Sequence, residues 1–108
     1  MSATTLHALA EPHRLRIVEL LRDGPASVGE ITERLGLRQP QVSKHLRVLS
    51  QAGVVEARPM AQRRLYQLQV APFAELDTWI TSFRPTWADR LDTLEAYLRA
   101  VQSHGSRS

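Results

Sequence analysis

At 108 residues the chain has room for one hydrophobic core, not two. With 43% apolar and 23% charged residues it reads as an ordinary soluble globular protein, its apolar runs are too short for a bilayer, and the lack of cysteine excludes disulfides and thiolate metal sites. The net charge of +3 is unevenly spread: Arg38, Lys44, Arg47, Arg58, Arg63 and Arg64 face Glu56 alone between residues 38 and 64, the concentration expected where a polyanion binds.

In chain order, "TTLHALAEPHRLRIVELLRDGPAS" reads as a short helix, a break and a longer helix. Pro12 suits a first helical turn, where its missing N–H costs nothing. Leu15, Ile17, Val18 and Leu21 supply apolar positions at helical spacing until "DGP" stops the run. In "SVGEITERLGL", Ser27 and Glu30 have the spacing of a capping box, Ile31 and Leu35 face inward, and Gly36 ends the helix. Pro40 opens the next helix within three residues, with Val42, Leu46 and Leu49 on one stripe and Gly53 at its end. Two short helices joined this closely form a helix-turn-helix. The loosely alternating "VVEARPMAQRRLYQLQV" then predicts a β-hairpin, roughly residues 54–58 and 64–69. The fold class expected is mainly α with a small hairpin, a winged helix-turn-helix.

Beyond the hairpin, Leu76, Trp79, Ile80, Phe83, Trp87, Leu91, Leu94, Leu98 and Val101 return to helical spacing. Pro85 must kink or break that helix near residues 83–86. Residues 1–101 are expected to form the DNA-binding domain with terminal dimerisation helices, and residues 102–108, which lack an apolar anchor, a flexible tail. A chain this small cannot hide so broad a stripe alone, so Leu6, Leu9, Trp79, Phe83, Trp87, Leu91, Leu94 and Leu98 are expected at a homodimer interface.

Between Arg34 and Val55 no acidic residue occurs. Projected around a helix, Lys44, Arg47 and Gln51 fall opposite the apolar stripe, with Ser43 on one flank and Gln41 and His45 on the other. Cations there can reach phosphates, while Arg, Lys and Gln can read base edges in a major groove. His45 has two readings, a DNA contact or a half-buried ring steadying the turn.

"LAEPHRLRIVELL", "SVGEITERLGLRQPQVSKHLRVLSQAGVV" and "RRLYQL" resemble the ArsR/SmtB family of bacterial winged-helix repressors over roughly residues 5–100. The resemblance implies a homodimer on double-stranded operator DNA near its own promoter, released by an effector that is often a metal ion. It assigns DNA reading to Gln39, Gln41, Ser43, Lys44 and His45 and a basic wing to Arg63 and Arg64; Arg38, Arg47 and Arg58 join them by charge and position.

There are departures. Arg38 stands where a capping serine is common, and the wing segment "RPMAQRR" lacks glycine. The family's metal-sensing cysteines would fall near Val28–Ile31, where this chain has none. Its other metal site, on the last helix, finds only Asp89 and Asp92 with His104 further along, and no Asp-x-His pair. The expectation is therefore no metal and no cofactor, with His7 and His13 structural and an unnamed small-molecule effector left open. No phosphate loop or paired catalytic carboxylates occur, and Ser43 and His45 project about 160° apart on a helix. No enzyme is expected. No basic segment followed by an apolar run opens the chain, so the expected location is the cytoplasm, away from membranes.

Overall fold

The computed structural model describes residues 2–105, with side chains through Ser103. The chain divides into two compact units, one ending at Glu75 and the other beginning at Leu76.

In the first unit α1 (Ala3–Leu9) and α2 (Pro12–Leu21) meet at a tight corner. Ser2 caps α1 by accepting the Thr4 N–H at 3.1 Å, and Glu11 caps α2 by accepting the Arg14 N–H at 2.9 Å. The Arg14 guanidinium donates back to the Ala8 carbonyl at 2.6 Å, satisfying an acceptor that the end of α1 leaves open. Ile17, Val18 and Leu21 are buried as expected, but Leu15 stays 43% exposed. Two residues before Ile17, it projects away from the face that Ile17 buries.

A two-residue strand, β1 (Ala26–Ser27), runs directly into α3 (Val28–Leu35). Ser27 accepts the Glu30 N–H at 3.2 Å, the forward half of the expected capping box. Its reverse half is replaced, because the Glu30 carboxylate takes the Ser27 hydroxyl instead. Gly36 ends α3 in the left-handed region, φ 66°, so that its N–H and that of Leu37 both reach the Thr32 carbonyl. The next helix, α4 (Gln39–Gln51), begins one residue ahead of Pro40. Arg38 precedes it with no acceptor to offer, and the Gln41 side chain compensates by accepting the Arg38 N–H at 3.3 Å.

The hairpin reaches closer to its tip than the sequence suggests and stops one residue short at its base: β2 (Val55–Met60) pairs with β3 (Arg63–Leu68) from Val55↔Leu68 to Met60↔Arg63. β3 also pairs with β1 through Ala26↔Tyr66 and Ser27↔Leu65, giving an antiparallel sheet of order β1-β3-β2. The core beneath it holds Ile17, Ile31, Val42, Leu46, Leu49, Val54 and Val55, all at 2% exposure or less. Each such side chain contributes about 1.5–3 kcal/mol on burial.

After the sheet come α5 (Val70–Thr81) and α6 (Arg84–Gly105). Pro85 therefore splits the segment, sitting in the first turn of α6, where a proline is tolerated. Helix α6 continues through Gly105, so residues 102–105 of the expected tail are helical; residues 106–108 lie outside the described residues. In the second unit Trp79 meets Phe83 edge-on at 5.1 Å, and Phe83 lies 6.4 Å from Trp87. Trp79, Phe83, Leu91, Leu94 and Leu98 remain exposed, and Trp87 is half-buried. In the first unit Leu6 is also exposed, whereas Leu9 packs against the core. Among the described residues no helix is long and apolar enough to cross a membrane.

At the hairpin tip, Ala61 holds φ 57°, a region that disfavours any residue with a Cβ and suits the glycine this wing lacks. Ala61→Gly should stabilise the protein by about 1 kcal/mol, read as a rise in the urea midpoint at unchanged m-value.

Candidate nucleic-acid interface

Burial of Val42, Leu46 and Leu49 fixes the rotation of α4 about its axis. Lys44, Arg47 and Gln51 then fall on the opposite face, with Gln41 and Ser43 on its flanks and Gln39 in the first turn, and all six are exposed. Arg38 is exposed just ahead of them. Ser43, Arg47 and Ser50 of α4 form one side of an open groove whose other side is Glu56, Ala57, Arg64 and Tyr66 of the hairpin. Two cations thus face each other across a trough bounded by a helix and a β-ribbon. Among the described residues, Arg38, Lys44, Arg47 and Arg64 have no carboxylate within ion-pair distance.

The other expected wing cations are differently engaged. Alternation along β3 sends Arg63 and Arg64 to opposite faces of the sheet. Arg63 turns towards the start of α3, where its guanidinium binds the Glu30 carboxylate and the Ser27 hydroxyl. Arg58 pairs at 3.0 Å with Glu56, the lone acid of this stretch. Hydrogen bonds from Gln67 and Arg58 hold the Glu56 carboxyl below its usual range; burial opposes them, and the Arg58 charge and Gln69 add to the lowering.

Of the two readings of His45, the structure matches the half-buried ring. Its side chain is only 18% exposed, stacked on His13 with ring centres 5.5 Å apart, and its Nδ1 lies 3.8 Å from a Glu11 carboxylate oxygen. It faces the α1–α2 corner because position 45 adjoins the buried Leu46 and Leu49 stripe. Burial lowers its pKa from the ordinary histidine value; Glu11 pulls the other way, and the Arg14, His13 and Lys44 charges push with burial. His13 Nδ1 lies 2.8 Å from the Glu11 carboxylate that caps α2. Burial by itself would raise Glu11, but the hydrogen bonds from His13 and the Arg14 N–H, with the positive charge of both imidazoles, bring it down to about 2.

Two groove residues were missed in the sequence reading. Ser50 stands seven residues, about two helical turns, from Ser43 and three residues from Arg47, and Tyr66 shares the strand face of Arg64. Both periodicities were readable, had the groove rather than the helix been taken as the unit. Asp89 and Asp92 join no cluster of three potential ligands among the described residues.

Residues 9–58 match the family described as a helix-turn-helix domain. Over 98 residues, 91% of this chain and 86% of the relative, the chain is 40% identical to the HTH-type transcriptional regulator Rv2034 of Mycobacterium tuberculosis. The crystal structure of an ArsR family transcriptional regulator, RHA00566, superposes with a TM-score of 0.68 at 25% identity, covering 79% of this chain and 88% of that one. The solution structure of a homodimeric winged helix-turn-helix DNA-binding domain from Mycobacterium bovis, Mb0332, described as a possible ArsR-family transcriptional regulator, superposes at 0.62 with 31% identity over 75% and 78% of the two chains.

Proposed function

This chain belongs to the ArsR family of winged-helix transcriptional regulators, non-enzymatic DNA-binding proteins, and from that premise we propose that it acts as a homodimeric repressor on a pseudo-palindromic operator near its own promoter. The observation that carries the reading is the groove lined by both Arg47 and Arg64, neither of which has a carboxylate within ion-pair distance among the described residues; Glu56 also lines it, engaged by Arg58, Gln67 and Gln69. Helix α4 enters the major groove. Gln39, Gln41 and Ser43 meet base edges, while Lys44 and Arg47 lie against phosphates. Arg38 and the free N–H groups of the first turn of α4 add a further phosphate contact.

Arg64 leads the wing along the flanking backbone, Arg58 reaching it beside its Glu56 pair. Arg63 belongs to the fold rather than to the DNA surface, given its bonds to Ser27 and Glu30. Two copies join through exposed apolar positions of α5, of the turn after it and of α6, Trp79, Phe83, Leu91, Leu94 and Leu98, with Leu6 contributing from α1. Leu9, spent on the core of its own chain, contributes less, and half-buried Trp87 supports Phe83 from within the unit. A two-fold axis then sets the α4 helices about 34–36 Å apart, one turn of B-DNA. Occupying promoter DNA that the polymerase needs accounts for repression.

The direct test is fluorescence anisotropy on the DNA upstream of the protein's own gene, with scrambled DNA as control. Preference for the upstream DNA is expected; equal affinity for both would reduce the basic face to a generic polyanion surface. Ser43→Ala and Gln41→Ala should each narrow that preference by about 1–3 kcal/mol, the worth of one good base contact. Arg64→Ala should weaken both DNAs alike and shallow the log–log salt slope by roughly one, whereas Arg63→Ala should leave the slope unchanged and lower the thermal midpoint. Leu94→Glu puts a charge into the apolar seam of α6 and should convert the dimer to monomer in light scattering; a persistent dimer would move the interface elsewhere.

A further inference from the structure

Three side chains of metal-ligating type meet at the corner between α1 and α2. One nitrogen of His13, one of His45 and one carboxylate oxygen of Glu11 lie within 4.8 Å of one another. Among the described residues no other such group of three forms. The cluster is held by the fold: Glu11 is oriented by the Arg14 N–H at 2.9 Å, His13 Nδ1 lies 2.8 Å from the Glu11 carboxylate, and the two imidazole centres are 5.5 Å apart. His45 Nδ1 is shut off from solvent yet has no hydrogen-bond partner. A buried imidazole nitrogen left unpaired is costly, and a cation beside Glu11 would satisfy it.

We propose that Glu11, His13 and His45 form a binding site for a divalent transition-metal ion of the zinc or cobalt type, with water as the fourth ligand. Two imidazoles and a carboxylate are a familiar donor set for such an ion. Bonds of about 2.0–2.2 Å place tetrahedral ligands roughly 3.3–3.6 Å apart, so on loading the 3.8 Å spacing of His45 Nδ1 from Glu11 closes slightly while the 2.8 Å contact of His13 Nδ1 with Glu11 opens. Arg14 and Lys44 oppose the incoming charge, and the carboxylate offsets part of it. The site lies away from both positions suggested by the family resemblance, the start of α3 and the last helix.

His45 belongs to α4, while Glu11 and His13 belong to the α1–α2 corner. An ion held by all three ties the DNA-reading helix to the helix pair behind it and biases where α4 sits in the groove. This regulatory consequence rests on the DNA reading proposed above; the site itself does not.

The test is titration of the metal-stripped full-length protein with Co(II), followed by the visible ligand-field absorption of four-coordinate cobalt. One cobalt per chain is expected, displaced by zinc. His13→Gln and Glu11→Gln should each weaken binding at least tenfold, with folding checked by circular dichroism; Gln at position 11 retains an oxygen to cap α2. His7→Gln should change nothing. Absence of the four-coordinate spectrum, or its survival in both variants, would overturn the site. Anisotropy on upstream DNA, with zinc or with chelator, then reads the coupling: a shift of at least fivefold in the parent protein and none in His13→Gln is expected. Unchanged DNA affinity at a loaded site would overturn the coupling. A protein that loads cobalt but shows no preference for the upstream DNA would count against the DNA reading and not against the site.

Discussion

The structure turns on how α4 is seated. Val42, Leu46 and Leu49 are drawn into the same core as Ile17, Ile31, Val54 and Val55, and a helix anchored along one stripe cannot rotate without exposing it. Displaying Ser43, Lys44 and Arg47 costs nothing extra, because it follows from what is buried. The same rotation points His45 at the α1–α2 corner. Hydrophobic burial thereby settles which polar groups are offered outward and which are taken inward.

The hairpin obeys the equivalent rule with a period of two. Arg63 and Arg64 are neighbours of identical chemistry, yet β3 presents them to opposite faces. Arg63 closes onto Ser27 and Glu30, bracing the wing against the start of α3 where the short β1 already pairs with β3. Arg64 shares the groove with Arg47. A count of positive charges treats the two as equal; strand geometry makes one a brace and leaves the other for a partner.

In the second unit the balance is different. From Leu76 onward several large apolar side chains stay exposed, Leu91 at 57%, and these are the positions proposed above for the dimer seam. Pro85 contributes by position: at the start of α6 it ends one helix and permits the next, so the apolar stripe is divided between two elements.

By itself the sequence determined the elements whose causes are local. Ser27 and Gly36 bound α3, the spacing of Val42, Leu46 and Leu49 gave α4 and its buried face, and the acid-free stretch from Arg34 to Val55 marked the cationic surface. These depend on neighbours within a turn or two, so periodicity and capping chemistry reveal them. Only the tertiary structure decided the rest: that Arg63 finds Glu30, 33 residues away, that β1 exists at all, and that His45 meets Glu11 and His13. In the sequence, Glu11 and His13 looked like a helix start and His45 like part of a basic face. What joined them was the packing of α2 against α4, a long-range contact set by core burial, which no local pattern in either segment encodes.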